Sequence, residues 1–429
     1  MKQKNDNIDL AKKLMSEAKY QEASVILEQL GKQDTESKPN YYPGFLLLNC
    51  YQKMALWQPA LRLAEELVKY DDCWQSIKTS YAWIIYFAFF KAQSKIKIEE
   101  LLLQIDLICD LLKMETSKLA LFLAIQNMLS NHPQLDKILA VHLLEKIDFN
   151  SLKTEIQNKS DQHSNQSDIA ERYSMLYSKN LLVAEYYDKC AEFCHQVLQE
   201  SNSISPANRI WLSRRLALSL QKTGRSDQAL EIYELLICQK PEWYIYFEYA
   251  LILHKLENSG DALKNAAKAA IMKGDLEMKI NLWNYLFSTL LSEGYYPQAT
   301  KCLALAAAIR IQKSWPIDQK MLKDLALYNL DLKKLPAPKS IFSEINEFLS
   351  KLSYDADSEK TGYLSHILPH GKAGFIKSGA DSFYFKISDL SFSTQLLKTG
   401  MRLRFNLVKS FDPKKQMESQ NAVNIRKDE

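Results

Sequence analysis

The sequence predicts a mainly α protein in which a long solenoid of paired helices is followed by a small all-β barrel. Three observations predict it. A pattern of small and large apolar residues returns at roughly 34-residue intervals through much of the chain. From residue 361 onward, glycines separate short runs in which aromatic and charged residues alternate, as in GKAGFIKSGADSFYFKISDL. Charge shifts at the same place: residues 361–429 carry 11 Lys and Arg against 6 Asp and Glu, a net of +5, which leaves −1 for residues 1–360.

At 429 residues and 47% hydrophobic content the chain can bury a large core, and its polar tracts are too short for long disordered arms. The N-terminus, MKQKNDNIDLAKKL, lacks the apolar stretch and small-residue cleavage site of a secretory signal, so a cytoplasmic protein is expected. The longest apolar run, Tyr81 to Phe90, is about half of the ~20 residues that cross a bilayer; it reads as a buried helix, with no membrane partner. Seven cysteines make an odd count with no disulfide framework, which points to reduced thiols. Cys190, Cys194 and His195 lie close on one helix, but no second CxxC or HxxxH completes a tetrahedral set. They read as structural residues, and neither a metal nor a cofactor is expected.

The helical elements read in order as follows. Residues 1–150 form an N-terminal block, with Leu10, Ala11, Leu14 and Ala23 on the buried faces of a first helix pair and Leu47, Tyr51, Ala60 and Leu67 on those of a second. Between Thr79 and Ile147 amphipathic helices continue without the small-residue signature. Ser151 to Asp168 is nearly devoid of large apolar residues and reads as a polar loop. Residues 169–335 form the second block. Within it, Leu216, Ala217 and Leu220 share one face, Gly224 marks a turn, Ala229 and Tyr233 share the next face, and Pro241 closes the unit. The scheme returns with Ala250, Leu253, Ala262 and Ala269, then with Trp283, Leu286, Leu290, Gly294, Ala299 and Ala306. Residues 336–360 hold the Pro336 and Pro338 pair, one helix, IFSEINEFLSKL, and the polar linker SYDADSEK.

These units resemble the tetratricopeptide repeat (TPR), whose small residues let two helices approach while large ones fill the gap. The second-helix alanines are spaced by 37, 33 and 37 residues between neighbours. The resemblance implies an α-solenoid whose concave surface binds a protein or peptide partner. Some members of the family grip a C-terminal carboxylate with Lys, Arg and Asn. Here Arg214 holds one such position, but Leu218, Phe247, Glu248 and Leu251 occupy others, so that clamp is not reproduced and a different ligand is expected. The other reading of the solenoid is a spacer or dimerising element.

After residue 361 the period changes to two. In SFYFKISDL, Phe383, Phe385 and Ile387 fall on one side of a strand, and Tyr384, Lys386 and Ser388 on the other. GKAGFIK is a second strand, with Phe375 on the outer face of the same sheet. MRLRFNLVKSF alternates Met401, Leu403, Phe405 and Leu407 with Arg402, Arg404 and Asn406. The core is assigned to Phe383, Phe385, Ile387, Leu403 and Phe405.

Residues 361–427 resemble, in the order of these pieces, a cold-shock domain, a five-stranded OB-fold barrel that binds single-stranded nucleic acid. TGYLSHILPHGKAGFI matches that family's opening without a gap, SFYFKISDL stands for its second ribonucleoprotein motif, LLKTGMRLRFNL for the loop and fourth strand, and NAVNI for the last strand. The chain departs from the pattern at His366, where the family has tryptophan, at Ala373, where it has an aromatic, and at Lys386 and Ile387, where it has a His-Phe pair. The resemblance implies that His366, Phe375 and Tyr384 stack bases, and that Lys372, Lys377, Lys386, Arg402 and Arg404 meet phosphates.

Catalytic motifs are lacking. HGKAG has neither the preceding glycine nor the following Ser or Thr of a phosphate loop, and no nucleophile elbow, HExxH or dinucleotide fingerprint occurs. Isolated His132, His142 and His254 read as satisfied helix residues. The expectation is a cytoplasmic, non-catalytic adaptor that binds single-stranded RNA, in preference to single-stranded DNA, through the barrel and a protein through the solenoid. The alternative is a protein-interaction scaffold with a degenerate barrel.

Overall fold

The computed structural model describes residues 2–32, 40–91, 96–115, 117–150, 152, 167–200, 204–354, 359–390, 392–412 and 417–428. The polar stretch 151–168 lies almost wholly outside them. The protein is a mainly α, TPR-like solenoid with a closed five-stranded β-barrel at its C-terminal end. Two compact units divide the chain, residues 1–208 and 209–429.

The first unit contains α1 (Lys2–Ser16), α2 (Tyr20–Lys32), α3 (Tyr41–Lys53), α4 (Trp57–Leu67), α5 (Gln75–Ile85), α6 (Ile98–Leu111), α7 (Leu119–Asn131), α8 (Lys137–Glu145), α9 (Ser167–Val183) and α10 (Tyr187–Glu200). Ala11, Ala23, Leu47, Ala60 and Leu67 are buried as the small-residue pattern requires. Leu10 is not: it is 47% exposed, because Ile8 and Ala11, three residues apart, carry the buried stripe of α1 and leave Leu10 to one side. The apolar run from Tyr81 is buried in α5 and a π-helical turn, Tyr86–Lys91, where Phe87 stacks on Trp57 at 5.2 Å. Among the described residues no helix is long and apolar enough to cross a membrane.

The second unit opens in α11 (Pro206–Lys222) and continues through α12 (Ser226–Gln239), α13 (Trp243–Lys255), α14 (Ser259–Ile271), α15 (Ile280–Ser292), α16 (Tyr296–Gln312), α17 (Gln319–Leu327) and α18 (Pro338–Leu352). Trp283, Leu286 and Leu290 are withdrawn from water in one core with Ala266, Ala269, Ala299 and Ala306. Each buried leucine contributes about 2 kcal/mol, and the alanines let the helix axes come close enough for that contact. Ile341, Ile345 and Leu349 of α18 complete this core. Beyond α18, Tyr354 lies beside Tyr246, Asp389 and Arg426, with the Lys268 ammonium 5.4 Å from its ring.

One turn geometry recurs within the helix pairs. Ala18, Ala55, Glu185, Gly224, Glu257 and Gly294 all take positive φ, between 55° and 84°. After each, the next amide donates to a carbonyl five residues back, as in Lys19 N to Leu14 O at 2.9 Å, Arg225 N to Leu220 O at 2.9 Å and Tyr295 N to Leu290 O at 2.8 Å. This left-handed cap satisfies a carbonyl that the helix end leaves orphaned, and it reverses the chain sharply enough for the partner helix to pack back.

The strands are β1 (Glu359–Ile367), β2 (Ala373–Ser378), β3 (Asp381–Lys386), β4 (Arg402–Asp412) and β5 (Met417–Lys427). They close in the order β1-β2-β3-β5-β4, with β1 pairing β4. All pairs are antiparallel except β3 with β5, which meet in parallel at Tyr384 and Asn421. Phe383, Phe385, Leu403 and Phe405 fill the interior with Leu364, Ile376, Ala422 and Ile425, while Ile387 is half-buried in a 3-10 turn at the end of β3. Gly374 is required by space: a Cβ there would lie 2.7 Å from the His366 carbonyl oxygen and 2.7 Å from the Phe385 ring. Strict alternation puts Asn406 outside, but the residue is buried. Pairing slips between Arg404 and Asn406, where β5 carries an extra residue, and Asn424, at φ 50°, turns its amide to donate to Asn406 Oδ1 at 3.0 Å.

Candidate nucleic-acid interface

The outer face of β1, β2 and β3 carries the aromatic residues that the sequence singled out. His366 pairs with Phe375, and Phe375 with Tyr384, in one row across three strands. Their rings touch: His366 stacks on Phe375 at 5.3 Å and 27°, and Phe375 meets Tyr384 edge-on at 5.7 Å. His366 is exposed, and Phe375 and Tyr384 are half-buried. A β-bulge between Leu364 and His366 allows this, since it gives β1 an extra residue and brings the imidazole outward beside Phe375.

Lysines surround the row. Lys377 follows Phe375 two positions along β2 on the same face, and Lys386 ends β3 opposite Ala373. Lys372 sits in the β1–β2 turn, where its backbone amide donates to His370 Nδ1 at 3.1 Å and its carbonyl accepts from Ile387 N at 3.0 Å. All three lysines are exposed. Ala373 is buried and offers no ring. The nearby Asp389 carboxyl is pushed up by burial from the ordinary carboxylate range.

Arg402 and Arg404 are exposed on β4, across β1 from the aromatic row. Their guanidinium groups are already engaged: Arg402 Nε lies 2.7 Å from one Asp428 oxygen, and an Arg404 terminal nitrogen 2.8 Å from the other. The Arg404 hydrogen bond, with Arg402 close by, holds the Asp428 carboxyl below the usual carboxylate range. The structure thus gathers His366, Phe375, Tyr384 and the three lysines into one area and sets the two arginines apart, under an acidic clamp. Two residues of this face escaped the sequence reading, Asp428 and Tyr363. Tyr363 alternates with buried Leu364 in TGYLSHI, a signal that was available; Asp428 offered none.

A second surface lies in the groove of the second unit, where α11, α13 and α15 line a cavity of about 550 Å³. Leu218, Phe247 and Leu251 form its apolar wall, and Lys222 and Lys255 stand at one end. Arg214 is neutralised there by Glu248, Nε to Oε2 being 2.9 Å, and its guanidinium lies 4.7 Å from the Tyr244 ring. Tyr233 donates to the same carboxylate at 3.0 Å. An arginine bound in this way does not serve as a free carboxylate grip. Among the described residues no three His, Cys, Asp or Glu side chains come together to hold a metal. Cys190 and Cys194 are buried between helices, and the Cys190 thiol donates to the Ser178 carbonyl at 3.4 Å.

A family model described as a domain of unknown function (DUF7017) matches residues 210–329, which run from α11 to just past α17. No curated protein sequence matches the chain. Among solved structures it is similar to the apo form of RapI, at 12% identity, 82% of this chain, 96% of that one and a TM-score of 0.38. It is also similar to a thermophilic TPR protein of Thermus thermophilus, at 14% identity, 58% and 98% coverage and a TM-score of 0.22. The TPR domain of P58(IPK) compares at 14% identity, 80% and 99% coverage and a TM-score of 0.26.

Proposed function

We propose that the protein is a cytoplasmic, non-catalytic adaptor whose C-terminal barrel holds a single strand of nucleic acid, RNA being favoured over DNA, and whose helical groove holds a protein partner. The observation that carries the first half is the row of three touching rings, His366, Phe375 and Tyr384, on one exposed face among Lys372, Lys377 and Lys386. Rings on a surface take bases without regard to sequence, because every base presents a π-face, and lysines beside them meet the phosphates. The strand order β1-β2-β3-β5-β4 supports reading the barrel as an OB-fold of the cold-shock kind, whose β2–β3 face binds oligonucleotides. The groove supports the second half by its apolar wall and the two lysines at its end.

The deciding experiment replaces Phe375 and Tyr384 together with alanine. Both side chains lie outside the barrel core, so circular dichroism should show the fold retained, while affinity for a single strand should fall by about 2–6 kcal/mol, one stacked base per ring. Unchanged binding by this variant means that the rings are not a platform. The buried Ala373 and the engaged arginines favour a second reading, a protein-interaction scaffold with a degenerate barrel. Absence of single-strand binding by the native protein at low salt would establish that reading instead.

A further inference from the structure

Tyr363 is an exposed aromatic residue on the barrel that the aromatic row does not use. It is 55% exposed, and among the described residues its ring meets no other. Its cross-strand partner on β2 is Lys377, and its partner on β4 is Arg402. All three side chains are exposed, so a tyrosine stands on the outer face with a cation on either side. Neighbouring strands lie about 4.8 Å apart, which puts Lys377 within reach of a phosphate attached to a base on that ring, and Arg402 too once its ion pair with Asp428 gives way.

This triplet forms a second row parallel to the first. Phe375 and Lys377 are two residues apart on β2, so the two rows are about 7 Å apart along the strands, a gap that one nucleotide of an unstacked single strand spans. Lys377 belongs to both rows, and among the described residues it carries no ion pair. A strand that leaves the first row therefore meets its next phosphate partner at Lys377 and its next ring at Tyr363.

We infer that the bound single strand turns from the His366–Phe375–Tyr384 row toward β4 and stacks a further base on Tyr363, with its phosphates at Lys377 and, where they displace Asp428, at Arg402. The inference rests on the nucleic-acid reading of the barrel and extends it to a longer ligand. A trinucleotide covers the first row alone, whereas a longer strand covers both.

The test is a fluorescence-anisotropy titration of the full chain at low salt with a labelled twelve-nucleotide oligouridylate and with a labelled trinucleotide. Tyr363→Ala should weaken the longer ligand on the order of 5- to 150-fold and leave the trinucleotide unchanged. Tyr363→Phe, which keeps the ring, should bind both like the native protein. Photocrosslinking of the native protein to the longer ligand carrying 4-thiouridine should yield an adduct at Tyr363, a readout independent of whether the alanine variant folds. If Tyr363→Ala binds the longer ligand normally while the Phe375/Tyr384 double variant does not, the second row does not exist and the first stands. Equal losses on both ligands, or adducts confined to the first row, overturn the inference in the same way. If the native protein binds neither ligand, the nucleic-acid reading itself fails.

Discussion

Asp428 governs how much of the barrel's positive charge a ligand meets. Its carboxyl is held below the ordinary range by the Arg404 hydrogen bond, so it stays ionised throughout the neutral region and competes with any phosphate for both arginines. Asp428→Asn removes that competitor while keeping the side chain's size. Affinity for single strands should rise, and the slope of log affinity against log salt should steepen by about 0.7 for each phosphate gained. A salt series on the two proteins measures this, and parallel slopes would mean that Arg402 and Arg404 meet no phosphate. The contrast between these residues also shows how far sequence can be read. His366, Phe375 and Tyr384 could be placed on one face because each lies in a short alternating run, and the structure puts them there. The clamp depends on the register of β5 after a bulge at Asn424, and no local pattern encodes that register.

Among the elements, six helix pairs owe their geometry to a single left-handed residue in the turn. At Gly224 and Gly294 that conformation is free of steric cost, whereas an alanine or glutamate there pays roughly 1–2 kcal/mol. Gly294→Ala should therefore destabilise the second unit by about 1 kcal/mol, and Glu257→Gly should stabilise it by up to about 1 kcal/mol after the extra freedom of the unfolded chain is deducted. Urea denaturation followed by helical circular dichroism compares them, and equal effects of the same sign would refute the assignment of strain. The same turn explains a repeat that the sequence concealed. In five pairs an alanine follows the left-handed residue by five positions: Ala23, Ala60, Ala229, Ala262 and Ala299. In the pair α9 and α10 the residue five beyond Glu185 is Cys190. A buried cysteine fills the small-residue position, so the chemistry-bearing side chain masked a packing role. Asn406 failed for the opposite reason: strict alternation cannot anticipate a bulge that turns a polar residue inward beside a partner amide.

For the whole molecule, the uneven charge separates two kinds of interaction. Residues 361–429 hold a net of +5 and residues 1–360 a net of −1, so attachment to a polyanion should belong to the barrel and attachment to a protein to the helices. Capture of partners from lysate with and without nuclease should then give two sets, one lost on digestion and one retained. The lost set should also vanish with the Phe375/Tyr384 double variant and the retained set should not; loss of both sets together would show that the two activities are not separable. The fold at this scale was legible because helical period and repeat length extend over hundreds of residues and give way to a period of two near the C-terminal end, while the meeting of the Tyr246 and Tyr354 rings at the Lys268 ammonium joins distant segments and leaves no periodic trace. The barrel closes between β3 and β5 at one paired position, Tyr384 with Asn421, beside a lone bridge from Leu390 to Ile425. So thin a seam is where the sheet parts at the least cost in free energy, and Tyr384 stands on it. On the proposed reading, a base lying on that ring would fasten the seam, so that occupancy and closure would become one equilibrium and the strand held by the barrel would also hold the barrel shut.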